Sequence, residues 1–170
     1  MSLAMQRDIG AYIQIINAFN PRTVTNTTAG DNVELTSTDL VDREIVSPGK
    51  SLQLSGKVGI PYNYNLAAAN TLTITANVQH SSGTTTTFTD FADKDSSTSF
   101  SVTVGTTTST AAQTGSGVLK TDLDLGGAKR YLRLQITPNF AAQSTAGTSD
   151  VDLGGVVVLG GYDNNPASTS

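Results

Sequence analysis

The sequence predicts an all-β protein, built as a two-sheet antiparallel sandwich of the jelly-roll type with about eight strands and an N-terminal arm. Two stretches carry this prediction, because residues 71–80 (TLTITANVQH) and residues 129–137 (KRYLRLQIT) alternate apolar and polar side chains. A period of two places all the apolar side chains on one face of a strand, whereas a helix would distribute them around its axis. Both stretches are rich in strand-forming residues and are bounded by turn-forming residues. We predict that they pair as the two central strands.

The composition supports a β-rich chain with long polar loops. Of the 170 residues, 37% are hydrophobic, only 14% are charged, and 16 are glycine. The net charge of −4 and the lack of a basic stripe argue against a nucleic-acid partner, which would require Lys and Arg against the phosphates. The chain has no cysteine, which excludes disulfides and thiolate chemistry. No apolar run approaches the roughly 20 residues that span a bilayer, so we expect no membrane partner.

The chain divides into three predicted parts: an N-terminal arm and loop over residues 1–31, a β-sandwich domain over 32–162, and a flexible tail over 163–170. Near the N-terminus, five apolar residues fall on one helical stripe: Ile9, Tyr12, Ile13, Ile16 and Phe19. The run YIQII in the same segment is β-branched and fits a strand equally well. Two alternatives stay open: an element that closes one edge of the domain, or an arm that packs on a partner subunit through Tyr12 and Ile16. Pro21 is expected to end this element.

Shorter alternating runs predict the other strands, at residues 33–40, 40–46, 51–60, 100–104, 118–125 and 151–159. Gly56 occupies an inward position in its run, which predicts a bulge or a close backbone approach. Residues 61–70, 106–117 and 138–149 are predicted to be polar loops. Eight short strands with long loops favour a jelly roll. An immunoglobulin-like sandwich is the alternative, although the chain has neither Cys nor Trp.

The last predicted strand ends in a run that is apolar on both faces, residues 156–159 (VVVL). A central strand that is covered on both sides has this pattern. A strand that lies at a subunit interface has it as well, so both explanations stay open.

The sequence contains no convincing catalytic or metal-binding arrangement. His80 is the only histidine, and the neighbouring Ser81 and Ser82 point to opposite faces of a strand, which does not suit a catalytic triad. One histidine also cannot build the usual multi-histidine metal site. Three clusters of aspartate are best explained as solvated loop or strand-edge residues: Asp90 with Asp93 and Asp95, Asp122 with Asp124, and Asp150 with Asp152. We therefore expect no enzymatic activity and no cofactor.

Basic and aromatic residues follow one another at the start of the second central strand, where Arg130, Tyr131 and Arg133 lie. Arg and Tyr are enriched at protein interfaces, so these three residues form a candidate subunit or partner interface. The alternative is that the arginines pair across the sheet with acidic neighbours such as Asp122 or Asp124.

Five short motifs in order carry a family resemblance: Val41-Asp42-Arg43, VQHSS (78–82), FTDFAD (88–93), GGAKRYLRLQIT (126–137) and VVVLGG (156–161). Together they resemble the capsid cement, or decoration, proteins of tailed bacteriophages, over roughly residues 40–161. Members often have a large apolar residue and Gly after the Asp-Arg pair, where this chain has Glu44-Ile45-Val46.

The resemblance implies a jelly-roll protein that binds the outer surface of a phage shell. The implied partners are the major capsid protein and further copies of the chain, with a homodimer favoured and a trimer possible. The implied location is the outer capsid surface of the virion, after synthesis in the host cytoplasm. An alternative function is a carbohydrate-binding or adhesin-type sandwich of a phage tail or cell surface, in which Tyr62 and Tyr64 stack on sugar rings.

Overall fold

The computed structural model describes residues 13–26, 35–44, 52–68, 70–91, 99–106, 111–142 and 149–162. These residues form ten strands, with no helix among them: β1 (Gln14–Asn26), β2 (Leu35–Thr36), β3 (Val41–Asp42), β4 (Gln53–Leu66), β5 (Asn70–Ser81), β6 (Thr89–Asp90), β7 (Ser99–Thr106), β8 (Gln113–Asp124), β9 (Tyr131–Ala142) and β10 (Ser149–Tyr162). The two pairs of neighbouring strands β2/β3 and β6/β7 each take one position in a sheet, so the sandwich has eight strand positions, as predicted.

The strands form two antiparallel sheets with jelly-roll topology. Sheet A has the order β1-β10-β4-β8, and in sheet B the central pair β9 and β5 is flanked by β2/β3 on one side and β6/β7 on the other. The first strand therefore pairs with the last, β2/β3 with β9, β4 with β8, and β5 with β6/β7. This nested pairing is the pattern of a jelly roll, and it excludes the immunoglobulin-like alternative.

The two predicted central strands do pair with each other. Strands β5 and β9 run antiparallel in continuous register from Asn70 opposite Ala142 to Ser81 opposite Tyr131. Their apolar side chains all face sheet A and are fully or almost fully buried: Leu72, Ile74, Ala76, Val78, Leu132, Leu134 and Ile136. Burial of one such aliphatic side chain stabilises the fold by about 1.5–3 kcal/mol.

Sheet A supplies the opposite half of the core, and one glycine allows the two layers to approach closely. A Cβ atom at Gly155 would lie 2.8 Å from the Cβ of Phe19 on β1 and 3.0 Å from Cδ1 of Leu134 in sheet B. Both side chains are buried, so neither can move aside. Gly56 is a second close approach, because a Cβ there would lie 3.1 Å from Cδ1 of Leu125. The register of β4 is continuous at this glycine, so close approach, and not a bulge, is the correct alternative.

The N-terminal segment differs from the predicted arm. Strand β1 pairs with β10 along its whole length and closes one edge of sheet A, so the sandwich begins by Gln14 and not at residue 32. Pro21 does not end this element, because β1 is an edge strand and accommodates the proline at a register shift between Phe19 and Arg22. The remaining predicted arm residues 1–12, Tyr12 among them, and the predicted tail 163–170 lie outside the described residues.

Several strands are longer than the sequence predicts. Strand β4 continues through Tyr62 and Tyr64 to Leu66, β8 begins at Gln113, and β9 continues through Pro138. The added residues are mostly polar on the outward face, which resembles a loop in composition. A strand with one solvated face has the same composition.

Candidate interaction surfaces

Arg43, from the first of the resembling motifs, bonds to the start of β4 and to the turn before β9. Its side chain is only 1% exposed, and all five of its N–H donors reach backbone carbonyl oxygens. Nε and one terminal nitrogen donate to Gln53, the same terminal nitrogen donates to Leu125 at 2.7 Å, and the other donates to Ala128 and to Lys129, the latter at 2.9 Å. Burial lowers the pKa of the guanidinium, yet an arginine stays charged at physiological pH. The Asp-Arg motif therefore stabilises the turn that leads into β9.

Asp42 and Glu44 flank Arg43 in sequence, and both bind Arg130, which follows Lys129 in that turn. Arg130 donates from Nε to Oδ1 of Asp42 at 2.9 Å and from its terminal nitrogen to Oδ2 at 2.7 Å, which is a bidentate pair. Its other terminal nitrogen forms an ion pair with Glu44. The hydrogen bond from Arg130 lowers the pKa of Asp42, and the same bond raises the pKa of Arg130. The predicted cross-strand pairing of the arginine is thus correct in kind, but the partners are Asp42 and Glu44 and not Asp122 or Asp124.

The three predicted interface residues form a half-exposed ridge on the outside of sheet B. The guanidinium of Arg130 lies 4.9 Å from the ring centre of Tyr131. Arg133 lies 4.4 Å above the ring of Phe88 and donates to Oε1 of Gln79 at 2.8 Å. We call Arg130, Tyr131 and Arg133 the arginine ridge. Its arginines are held in fixed positions by neighbours in the same chain, and each remains partly accessible.

The segment that follows β5 turns back to pair with it as β6 at the edge of sheet B, and it helps to hold the arginine ridge. Asp90 accepts hydrogen bonds from the side-chain amides of Asn77 at 2.7 Å and Gln79 at 2.8 Å. The backbone N–H of Phe91 donates to the carbonyl of Val78 at 2.9 Å. Asp90 is therefore occupied with hydrogen bonds to this sheet. Asp93 and Asp95 lie outside the described residues.

His80 lies at the same end of sheet B and is engaged structurally. Its Nδ1 accepts a hydrogen bond from the backbone N–H of Lys129 at 3.2 Å, and its ring contacts that of Phe91 at 5.3 Å between centres. Burial and the nearby charges of Lys129 and Arg43 lower its pKa. In the part of the chain that the structure describes, no group of three or more His, Asp or Glu side chains is placed to hold a metal ion.

Tyr62 and Tyr64 point toward the core and not into a sugar-binding loop. Tyr64 is buried, Tyr62 packs against the core, and their ring centres lie 6.4 Å apart. Both rings lie across the backbone of edge strand β8, at Gly115 and Gly117. Aromatic side chains that cover glycines on a neighbouring strand shield the exposed backbone there. The feature that suggested sugar stacking is therefore absent from the outer surface of these two strands.

The outer face of sheet A carries exposed apolar residues that the predicted interface did not include. Four large hydrophobic side chains are exposed: Ile13 at 45%, Ile15 at 73%, Val118 at 57% and Val156 at 38%. Ile13 directly precedes β1, and the other three occupy outward positions of β1, β10 and β8. Ile16, for which a partner contact was one of two predicted alternatives, is partly buried and packs against the core, and its contact with a partner stays a prediction. A hydrophobic residue at an outward position of a predicted strand, such as Val118 beside the inward Leu119, was the sequence signal for this surface.

The exposed residues form a diagonal band across sheet A. Ile15 lies beside Val158 on β10, and Val156 lies beside Gly59 on β4. A Cβ at Gly59 would lie 3.4 Å from Cγ2 of Val156 and 3.9 Å from Cγ1 of Val118, so these two valines approach each other above the glycine. We call this band the apolar stripe; its members are Ile13, Ile15, Val158, Val156, Gly59, Gly154, Pro21, Pro61 and Val118.

Solved structures of viruses contain chains with a similar fold. A chain of infectious bursal disease virus, Gx strain, is 12% identical to this chain, with a TM-score of 0.47. The match covers 91% of this chain and 32% of the viral chain. A chain of the infectious bursal disease virus VP2 subviral particle is 12% identical with a TM-score of 0.47, over 93% of this chain and 35% of its own. A chain of Desmodium yellow mottle tymovirus is 12% identical with a TM-score of 0.31, over 92% of both chains.

This chain therefore spans about a third of the length of the infectious bursal disease virus chains. At these identities and TM-scores the likeness concerns the general fold and says nothing of function. No protein-family model matches the chain, and no curated protein matches its sequence. The described residues also contain no helix of the length and apolar character needed to cross a bilayer.

Proposed function

We propose that this chain is a structural virion protein that binds the outer surface of a phage capsid and stabilises the shell, as cement or decoration proteins do. The major capsid protein is the proposed partner, and no catalytic role is assigned. The jelly-roll topology and the order of the short sequence motifs support the proposal. The observation that carries it is the arginine ridge, which lies within the stretch that carries the family resemblance.

The arginine ridge has the properties of a pre-organised protein-binding surface. Arg and Tyr are enriched among the residues that contribute most to interfaces. The bidentate contact with Asp42 holds Arg130, and the contacts with Gln79 and Phe88 hold Arg133. Little side-chain entropy remains to be lost when these arginines meet a partner, so more of the contact energy becomes affinity.

The charge of the chain favours the outside of a DNA-filled shell. A protein on the inner wall would face packaged phosphates, and a net charge of −4 would oppose that location. On the outside, many identical sites on one lattice bind many copies. Binding to the assembled shell but not to its dissociated subunits stabilises the shell by mass action.

Co-sedimentation of the purified protein with expanded capsid shells of the candidate phage tests the proposal. We expect binding that saturates at a fixed ratio to the major capsid protein, and shells that dissociate at a higher temperature once they are saturated. Unexpanded shells of the same phage serve as a control for specific binding. A folded protein that stays in the supernatant at every concentration would contradict the proposal.

A further inference from the structure

We infer that the outer face of sheet A is the docking face for a second copy of this chain, which forms a face-to-face dimer with a two-fold axis along the apolar stripe. The inference does not depend on the proposed shell binding, which uses the arginine ridge on sheet B. It rests on four observations: the exposure of the stripe, its shape, the charges beside it and the size of the face.

The exposure of the apolar stripe is unusual for a strand face in contact with water. Ile15 is 73% exposed, and Val118 is 57% exposed on the edge strand β8. Strand β10 lies in the interior of sheet A, yet Val156 and Val158 face outward, so residues 156–159 of this strand are apolar on both faces. A contiguous exposed apolar patch marks an interaction site more often than chance exposure of single residues.

The shape of the stripe suits another β-sheet as the occupant. Gly59 and Gly154 lie within the stripe and leave its centre without protruding side chains. A Cβ at Gly154 would lie 3.6 Å from Cγ of Pro21 and 3.7 Å from Cγ of Pro61, so the proline rings flank this glycine. No side chain projects at these two positions, so the strands of a second sheet can approach the backbone closely there. Two twisted sheets that pack face to face make their closest contact along such a band.

Charged residues border the stripe on both sides. The charges nearest to it are positive on one side and negative on the other. On the β4/β8 side, Lys57 lies opposite Asp122 and Lys120 lies opposite Gly59. Lys57 binds the outlying Asp122 at 2.9 Å. On the other side, Asp152 on β10 accepts a hydrogen bond from the hydroxyl of Thr23. A two-fold axis along the stripe brings the lysine side of one copy over the aspartate side of the other, which is a complementary arrangement.

The area of the face is sufficient for a stable dimer. Its four strands have 12 to 14 residues each. With strands about 4.8 Å apart and a rise of about 3.3 Å per residue, the face measures roughly 750 Å². A standard protein–protein interface buries about 800 Å² on each partner. A second copy that covers this face would therefore bury an area in the normal range.

The mass of the protein in solution, measured by sedimentation velocity over a concentration series without shells, tests the inference. We expect a monomer–dimer equilibrium. Val156→Glu and Val118→Glu each place a charge in the stripe and are expected to weaken the dimer about tenfold or more. Both side chains are outward-facing, so the variants should keep the thermal midpoint that the wild type has at concentrations where it is monomeric. Thr84→Glu, at an exposed position of the loop that follows β5 and away from this face, is the matched control and should dimerise normally.

Cysteine cross-linking tests the orientation, because the chain has no cysteine of its own. A residue on the axis lies next to the same residue of the other copy. Val156→Cys and Val118→Cys should therefore each form disulfide-linked dimers under mild oxidation. Thr114→Cys lies away from the axis and should form no disulfide-linked dimer under the same conditions. Cross-linking between an Ile15→Cys copy and a Val118→Cys copy, without self-linking of either, would overturn the axis along the stripe.

Three outcomes would overturn the dimer itself. The first is a monomer at every concentration, and the second is a trimer. The third is a dimer that Val156→Glu and Val118→Glu leave intact. None of these outcomes bears on shell binding by the arginine ridge. A monomer whose Val156→Glu variant loses shell binding would instead assign this face to the shell.

Discussion

Arg130 binds Asp42 through two parallel hydrogen bonds of 2.9 and 2.7 Å, and this pair joins the segment before β4 to the start of β9. The residues between them in sequence include strands β4 to β8, so the pair closes a long loop of chain. Arg43, next to Asp42, bonds the same turn from the inside through backbone carbonyls. The motif residues thus act together as a clasp at one end of sheet B, and the arginine ridge stands on this clasp.

The Arg130–Asp42 pair should make stability depend on pH at the acid end. Arg130 lowers the pKa of Asp42 in the folded state, so the folded carboxylate binds its proton less readily than the unfolded one. The stabilisation is therefore present above the unfolded pKa of about 3.9 and is lost as the pH falls through the lower folded pKa. We expect the stability difference between the wild type and Arg130→Gln to be largest at pH 5–7 and to shrink toward pH 2.

Urea denaturation at a series of pH values measures that difference. Lys57→Gln removes an ion pair whose two side chains are mostly exposed, and it should change stability little at any pH. A difference between wild type and Arg130→Gln that stays constant from pH 6 to pH 2 would show that the pair does not act through the Asp42 charge.

Replacement of Arg43 should be one of the most destabilising changes in the chain. Arg43→Met fills the space but leaves the buried carbonyls of Gln53, Leu125 and Ala128 without their donors. Unsatisfied buried polar groups cost about 1–3 kcal/mol each, so we expect a loss of at least about 3 kcal/mol in the free energy of unfolding. Arg22→Met, which removes an exposed arginine, is the control and should lose less than about 1 kcal/mol. Equal losses in the two variants would refute the role given to Arg43.

Gly115 should not tolerate a methyl group while Tyr64 is present. A Cβ at Gly115 would lie 2.6 Å from Oη and 2.7 Å from Cζ of Tyr64, which is buried and cannot move freely. We expect Gly115→Ala to destabilise the protein by about 1–3 kcal/mol. Gly127→Ala is the control, because a Cβ there would meet nothing within 4 Å.

A double-mutant cycle measured by thermal or urea denaturation separates this clash from other effects of alanine. In a Tyr64→Leu background the ring is gone, so Gly115→Ala should cost much less than it does in the wild type. If the alanine costs the same in both backgrounds, the contact with Tyr64 is not the reason for the glycine.

Arg133 should contribute to shell binding without being needed for the fold. Arg133→Ala removes a half-exposed side chain that stacks on Phe88, and we expect shell affinity to fall about tenfold while the thermal midpoint changes little. The measurement is co-sedimentation with expanded shells, with circular dichroism to check folding. Arg22→Ala, on β1 of sheet A, is the control. Unchanged binding of Arg133→Ala at high salt would contradict the assignment to the arginine ridge.

Strand periodicity made much of the fold predictable. The alternation in β5 and β9 correctly identified the central pair, and the inward Leu119 and Leu123 correctly identified the buried face of β8. Strand ends were less predictable. Polar residues around Pro138 resemble a loop in sequence, whereas in the sheet they form the outward face of β9. The described pairing of β9 with β2 begins only at Leu35, which lies opposite Ile136.

The candidate surfaces were predictable only in part. The sequence placed Arg130, Tyr131 and Arg133 on one strand, but it assigned the wrong acidic partners because Asp42 and Glu44 are distant in sequence. It also pointed to the run 156–159 as a covered central strand or an interface. Only the pairing of β1, β10, β4 and β8 brings Ile15, Val156 and Val118 into one stripe, since these residues come from three separate parts of the chain.

The sequence by itself determined the all-β class and the side-chain alternation of most strands, because these depend on local residue type and spacing. The tertiary structure alone decided which strands are neighbours, which carbonyls Arg43 binds and that the Tyr64 ring covers Gly115. The physical reason is that pairing and packing join residues far apart in the chain, through register, backbone hydrogen bonds and close contact. Such contacts leave no periodic signal in the sequence.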